Sequence, residues 1–106
     1  MIDYEGRRFS RPDDESGTVA VYHQAGDVVW AEVTGGQVER GFTAGTADRD
    51  GTLRMGYAIV LAGGELLCGH SVSTPGRTTD GRLQLREQWQ RYRPQPSAGV
   101  SFIEEV

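Results

Sequence analysis

Short turn signals recur along the whole chain, and they constrain the fold more than any other feature of the sequence. They lie at residues 25–27, 35–36, 48–51, 63–64, 80–81 and 94–96. Most of these signals contain Gly-Gly or Asp-Gly, which are typical of two-residue hairpin turns because such turns need positive φ angles. The chain is therefore predicted to fold as a succession of antiparallel hairpins.

The segments between the turns alternate apolar and polar residues with the period of two that is typical of strands. Eight strands are predicted, over about residues 3–9, 18–24, 27–34, 37–46, 52–62, 65–74, 81–92 and 98–106. No stretch has a helical period, so no helix is expected to cover the apolar face of the sheet. An eight-stranded antiparallel meander protects its edges best by closing on itself. The predicted fold class is all-β, with residues 1–106 forming one up-and-down barrel domain.

Composition excludes several classes of function. The net charge of −4 argues against nucleic-acid binding, which needs a basic surface. No apolar run approaches the length of a membrane helix, and the first residues do not have the pattern of a secretory signal. Cys68 is the only cysteine, so no intrachain disulfide is expected. We therefore expect a soluble cytoplasmic protein without nucleic-acid or membrane partners.

Motifs for common catalytic and metal chemistry are missing from the sequence. Lysine is absent, which excludes a lysine Schiff base and a phosphate-loop lysine. His23 and His70 do not have a metal-ligand spacing, and with Cys68 they do not form a recognisable zinc set. The sequence therefore predicts no catalytic residue, no metal and no cofactor.

The two Gly-Gly turns predict which side chains point into the barrel, provided that each is a two-residue turn. Around residues 35–36 the inward set is Val29, Ala31, Val33, Val38, Arg40 and Phe42. Around residues 63–64 the inward set is Met55, Tyr57, Ile59 and Leu61, opposed by Leu66, Cys68, His70 and Val72. The seventh strand adds Leu83, Leu85, Glu87 and Trp89, while Trp30 points outward. The pattern leaves open whether Tyr22 or His23 points inward.

Polar groups in this inward set indicate a candidate ligand site. Charged side chains are rarely buried without partners, so inward arginine and glutamate imply an ion pair, a wet cavity or a position at the barrel mouth. The predicted ligand-binding residues are Arg40, Tyr57, His70, Glu87 and Trp89. They would orient one small amphiphilic or aromatic molecule, with the arginine fork suited to a carboxylate or phosphate.

Three alternatives to this interpretation stay open. The polar cluster is equally compatible with a self-satisfied plug in a filled barrel, since eight strands enclose either packed side chains or one small ligand. It is also compatible with a cofactor-free lyase or isomerase, in which Arg40 would bind a carboxylate and Tyr57, His70 or Glu87 would transfer protons. A third interpretation is an interaction or structural protein that acts through its outer wall, with the outward Trp30, a candidate homodimer contact, and the Arg82/Arg86 face as the contact surface.

Segments over nearly the whole chain resemble a group of small bacterial proteins of about this length. They are IDYEGRRF at 2–9, YHQ at 22–24, VWA at 29–31, GG at 35–36, RG at 40–41, GEL at 64–66, STP at 73–75, EQWQ at 87–90 and IEE at 103–105. Arg91 is a departure, because such proteins tend to carry a second tryptophan there.

This resemblance implies a fold and does not imply an activity. Such proteins are often named N-acetylglutamate synthase, but this chain lacks the helices and the R/Q-x-x-G-x-G/A loop that an acetyltransferase uses for coenzyme A. The predicted barrel is similar to the calycin group, which includes lipocalins, fatty-acid-binding proteins and avidin-like barrels. The avidin-type opening with a tryptophan on the first strand is missing, so biotin is not expected as the ligand.

Overall fold

Eight antiparallel strands form a closed barrel in the computed structural model, which describes residues 2–106. The strands are β1 (Arg8–Ser10), β2 (Val19–Ala25), β3 (Val28–Gly35), β4 (Val38–Ala47), β5 (Leu53–Leu61), β6 (Leu66–Arg77), β7 (Leu83–Arg93) and β8 (Ser97–Glu105). Each strand pairs with its sequence neighbours, and β1 pairs with β8 to close the barrel. The predicted all-β barrel of eight strands is confirmed. No helix long and apolar enough to cross a membrane occurs in residues 2–106.

The N-terminal segment differs from the prediction, because β1 covers only Arg8–Ser10, whereas the sequence predicts the first strand over residues 3–9. Residues before it cover one end of the barrel instead. The Tyr4 side chain is fully buried, and its hydroxyl donates a hydrogen bond of 2.6 Å to the carbonyl oxygen of Gly51 in the β4–β5 loop. Burial raises the pKa of this tyrosine to about 12. The segment therefore closes this end of the barrel.

The hydrophobic core lies next to this closed end. Its buried members are Tyr4, Phe9, Tyr22, Val29, Ala31, Leu53, Met55, Leu83, Leu85 and Ile103. They come from the N-terminal segment and from six of the strands, so they pack the barrel solidly across its full width. The loops at residues 11–18, 36–37, 62–65 and 94–96 surround the opposite end, which is open.

The β3–β4 hairpin has a different register from the predicted one, which reverses two side-chain directions. Gly35 pairs with Val38, so residues 36–37 form the loop, and β4 accommodates an extra residue between Val38 and Arg40. A β-bulge of this kind reverses the faces of the residues beyond it, because side chains alternate with a period of two. The predicted inward directions of Arg40 and Phe42 are therefore wrong. Both side chains lie on the outer wall, where Phe42 is 49% exposed.

The β5–β6 hairpin has a loop of three residues instead of two. The backbone N–H of Leu61 donates to the carbonyl of Glu65 at 2.9 Å, which leaves residues 62–64 as the loop. The extra residue shifts the whole pairing of β6 by one position. The side chains of Leu66, Cys68, His70 and Val72 therefore point outward, and their predicted inward directions are wrong.

Packing decides which side chains of β2 point into the barrel, a question that the sequence left open. Tyr22 is buried in the barrel, whereas His23 lies outside and stacks on Trp30 with ring centroids 5.6 Å apart. The outward direction predicted for Trp30 is confirmed, and its side chain is 37% exposed.

Candidate functional site

The open end of the barrel leads into a cavity of about 620 Å³ above the core. This volume lies within the range of about 300–1,000 Å³ that is usual for small-molecule sites. Apolar side chains from seven strands, β1–β6 and β8, form most of its wall: Phe9, Ala20, Val33, Val38, Met55, Ile59, Leu61, Leu67 and Ile103. The barrel interior is therefore packed at one end and hollow at the other, rather than filled throughout by a polar plug.

The β1–β2 loop, residues 11–18, folds over part of the cavity mouth. Arg11, Asp14 and Ser16 of this loop line the cavity. The loop is held against the β3–β4 turn by a hydrogen bond of 3.0 Å from the Thr18 hydroxyl to the carbonyl oxygen of Gly35. A long loop thus brings charged groups to the mouth of a cavity whose walls are mostly apolar.

Tyr57 on β5 lies inside the barrel, as predicted, and lines the cavity. Its cross-strand partner is Gly69 on β6, and a Cβ atom at that position would lie only 2.6 Å from the tyrosine oxygen. The glycine therefore leaves the space that the phenol ring occupies. The Tyr57 hydroxyl donates a long hydrogen bond of 3.4 Å to the carbonyl oxygen of Gln90.

Trp89 on β7 also lines the cavity, as predicted. Its indole Nε1 donates a hydrogen bond of 3.0 Å to the hydroxyl oxygen of Ser101 on β8. A Cβ atom at its other neighbour, Gly99, would lie 2.6 Å from the indole ring. The ring is therefore held flat against the barrel wall by one hydrogen bond and one small residue.

Arg91 follows Trp89 by two residues on β7, so it lies on the same face of the strand and lines the cavity nearer to its mouth. Its guanidinium carbon lies 5.4 Å from the centroid of the Trp89 ring, within the range of a cation–π contact. Its Nε is buried and has no hydrogen-bond partner among residues 2–106. Arg91 thus brings a positive charge to the cavity wall.

Glu87 lies deepest of the polar side chains on β7, directly above the buried Leu85. It pairs across the sheet with Ser73 on β6 and Ser101 on β8. Burial raises the pKa of its carboxyl to about 7, and the positive charge of Arg11 opposes this rise. Within residues 2–106 the carboxyl forms neither a hydrogen bond nor an ion pair, so nothing in the described chain neutralises its charge directly.

The predicted cluster of four polar side chains does not assemble. Tyr57 and Glu87 line the cavity with Trp89, whereas Arg40 and His70 lie on the outer wall. The His70 ring forms a hydrogen bond with the hydroxyl of Tyr92 there. The lyase or isomerase interpretation needed Arg40 to bind a carboxylate beside the proton-transferring groups, and the structure places Arg40 on the outer wall instead.

Two arginines outside the predicted set of ligand-binding residues supply positive charge to the cavity. Arg91 continues the inward alternation of Leu85, Glu87 and Trp89, so that pattern could have identified it. Arg11 lies in a loop, where no periodicity predicts the direction of a side chain. Among residues 2–106, no group of three or more His, Cys, Asp or Glu side chains could hold a metal ion.

Comparison with known proteins agrees with this geometry. The family model described as "Avidin-like protein" matches residues 2–106, which is nearly the whole chain. No curated protein and no solved structure matches the sequence. The closed antiparallel barrel of eight strands is consistent with an avidin-like fold. The chain belongs to the avidin-like protein family.

Proposed function

We propose that this protein binds one small amphiphilic or aromatic molecule in the cavity of its barrel. The observation that carries the proposal is a cavity of about 620 Å³ whose wall is mostly apolar and holds a few inward polar groups. Sites of this composition bind small molecules by burying an apolar body and orienting one polar end. A barrel of eight strands is just wide enough to hold one such ligand.

The side chains of the cavity support a division of roles. Tyr57 and Trp89 present aromatic surfaces beside the aliphatic wall, and aromatic contacts favour a flat or unsaturated ligand body. Glu87 and Ser71 lie lower in the cavity, where they would contact the buried end of the ligand. Arg11 and Arg91 lie toward the mouth, where the ligand would meet solvent.

Titration with N-phenyl-1-naphthylamine, a neutral aromatic probe that fluoresces in apolar surroundings, tests the proposal. Ser71→Trp adds a large side chain inside the cavity, whereas the neighbouring Val72→Trp adds the same side chain on the outer wall. We expect Ser71→Trp to weaken probe binding at least about tenfold and Val72→Trp to leave it unchanged, because only the first substitution occupies the cavity. Circular dichroism checks that both variants fold. Equal binding by the two variants would show that the probe does not occupy the cavity.

A second candidate function, self-association, is favoured by apolar side chains on the outer wall. The adjacent strands β3–β6 expose Trp30, Phe42, Val60 and Leu66, with exposed fractions from 37% to 49%. Exposed apolar side chains that lie together are typical of protein contacts. We propose that two copies of the chain pack these faces together as a homodimer.

Matched phenylalanine substitutions test the homodimer. Phe42 on β4 and Phe102 on β8 are both exposed, but they lie on opposite sides of the barrel. We expect the wild-type protein and Phe102→Ala to have the mass of a dimer in light scattering, and Phe42→Ala and Trp30→Ala to shift toward the monomer. A wild-type mass equal to one chain at micromolar concentration contradicts the proposal.

A further inference from the structure

We propose that the ligand presents a positively charged nitrogen group, an amidinium or an ammonium, to Glu87 at the bottom of the cavity. The inference rests on the proposed function, since it names the chemical class of the ligand for the same cavity. It follows from the position of this carboxyl, from its missing partner and from the arrangement of the other charges around it.

The position of Glu87 makes it a contact for the buried end of a ligand. Leu83 and Leu85, which precede it on the same face of β7, are buried in the core, and Trp89 and Arg91 follow it toward the mouth. Glu87 is therefore the first polar side chain above the core on this strand. A molecule that fills the cavity to its floor reaches this carboxyl.

The carboxyl lacks a partner within the described chain. Buried ionised groups are usually paired, because desolvating a charge without compensation is unfavourable by several kcal/mol. Glu87 forms no hydrogen bond or ion pair within residues 2–106. A cationic nitrogen group would supply both the opposite charge and the N–H donors that the site lacks.

Charged and titratable groups reach the cavity from several elements. They are Arg11, Asp13 and Asp14 of the β1–β2 loop, Tyr22 on β2, Tyr57 on β5 and Arg91 on β7. Burial raises the pKa of Tyr22, and the nearby charge of Glu87 adds to this rise, so Tyr22 stays neutral across the range tested below.

This arrangement disfavours an anion at the cavity floor. A carboxylate there would add a second negative charge beside Glu87, and like charges in a poorly hydrated site repel each other strongly. Arg11 and Arg91 lie nearer to the mouth, so an anionic group of the ligand would be held at that end instead. The cavity thus has a carboxyl group at its floor, whereas its mouth carries the two arginines together with Asp13 and Asp14.

Three probes of equal shape separate the ligand classes: 2-naphthamidine is a cation, 2-naphthamide is neutral and 2-naphthoate is an anion. Isothermal titration calorimetry at pH 8.5 is expected to give the tightest binding for 2-naphthamidine. The amidinium stays charged at both pH 5.5 and pH 8.5, so its pH dependence reports the carboxyl. With a pKa of about 7, we expect amidine binding about 30-fold weaker at pH 5.5 than at pH 8.5.

Variants identify the carboxyl that is responsible. Glu87→Gln keeps the shape of the side chain and removes its charge, so it should abolish both the preference for the amidine and the pH dependence. Glu32→Gln, on the exposed outer wall, is the matched control and should change neither. Three results would overturn the inference while leaving a ligand-binding cavity in place. They are near-equal binding of the three probes, tightest binding of 2-naphthoate, and a preference for the amidine that survives in Glu87→Gln. Failure of all three probes to bind folded protein would overturn the proposed function together with the inference.

Discussion

Replacing Glu87 by glutamine should stabilise the folded protein, and the gain should depend on pH. The carboxyl lies half-buried in a cavity without a hydrogen-bond partner among residues 2–106, and this partial burial raises its pKa from 4.5 to about 7. A rise of that size corresponds to about 3 kcal/mol of free energy. Water in the open cavity screens part of the charge, so we expect a stabilisation of about 2 to 3 kcal/mol at pH 8.

The direction of the pH dependence follows from proton linkage. Between pH 4.5 and pH 7 the folded protein holds a proton on Glu87 that the unfolded chain has lost, so the free energy of unfolding falls as the pH rises. Below pH 4.5 the carboxyl is neutral in both states, and above pH 7 it is charged in both. The destabilisation is therefore absent at pH 4, grows between these pH values and is complete at pH 8.

Urea unfolding of the wild-type and Glu87→Gln proteins at pH 4, 6 and 8 measures this difference. The two proteins should be equally stable at pH 4, and the variant should unfold at a higher urea concentration at pH 8. In thermal unfolding at pH 8, the midpoint temperature of the variant should be roughly 10–20 °C higher. Glu5, Asp14, Asp50 and Asp80 have pKa values lowered by hydrogen bonds, which stabilise the fold above their titration range. Their effect is common to both proteins and cancels in the difference.

The outer-wall variant Glu32→Gln serves as the control and should show no pH-dependent gain. A gain for Glu87→Gln that is the same at pH 4 and pH 8 would mean that the amide packs better than the acid, and that the charge is irrelevant. A loss of stability at pH 8 would mean that the carboxylate has a partner in solution. Either result refutes the reasoning from burial.

Two further substitutions test the packing of the barrel. Leu85→Ala removes a fully buried side chain from the core and should destabilise the protein by about 2–5 kcal/mol in urea unfolding, whereas Phe102→Ala on the outer wall should cost less than about 1 kcal/mol. Gly69→Ala would place a Cβ atom 2.0 Å from the carbonyl oxygen of Gln90, so we expect the free energy of unfolding to fall by about 1–3 kcal/mol or more. Because the same Cβ atom would crowd Tyr57, the near-ultraviolet circular dichroism spectrum should change as well. Wild-type stability for Leu85→Ala or Gly69→Ala would contradict the packing described for that site.

Local pattern predicts most of the barrel correctly. The alternation on β7 places Leu83, Leu85, Glu87 and Trp89 inside, and the structure confirms all four directions. Such patterns are dependable because a strand with one face in a core must present apolar side chains with a period of two. The number of strands and their order follow from the turn signals in the same way.

Errors arise where one residue is inserted into a hairpin. The bulge between Val38 and Arg40 and the three-residue loop at 62–64 each shift the pairing by one position. A shift by one residue turns every following side chain to the opposite face of the sheet. The predicted inward directions of Arg40 and His70 are wrong for this reason. Gly-Gly is compatible with both loop lengths, and local sequence therefore does not distinguish them.

Amino-acid sequence alone determines that this chain forms an eight-stranded antiparallel barrel with Tyr57, Glu87 and Trp89 among its inward residues, because turn chemistry and alternation act over a few neighbouring residues. Tertiary structure decides the register of β4 and β6, the hollow end of the barrel and the position of Arg11 at the cavity mouth. These features depend on contacts between distant parts of the chain. Gly41 packs against Val33 and Ile59, for example, and Gly69 leaves room for the ring of Tyr57. Closure of the sheet selects the register that satisfies such contacts together, and no local pattern contains that information.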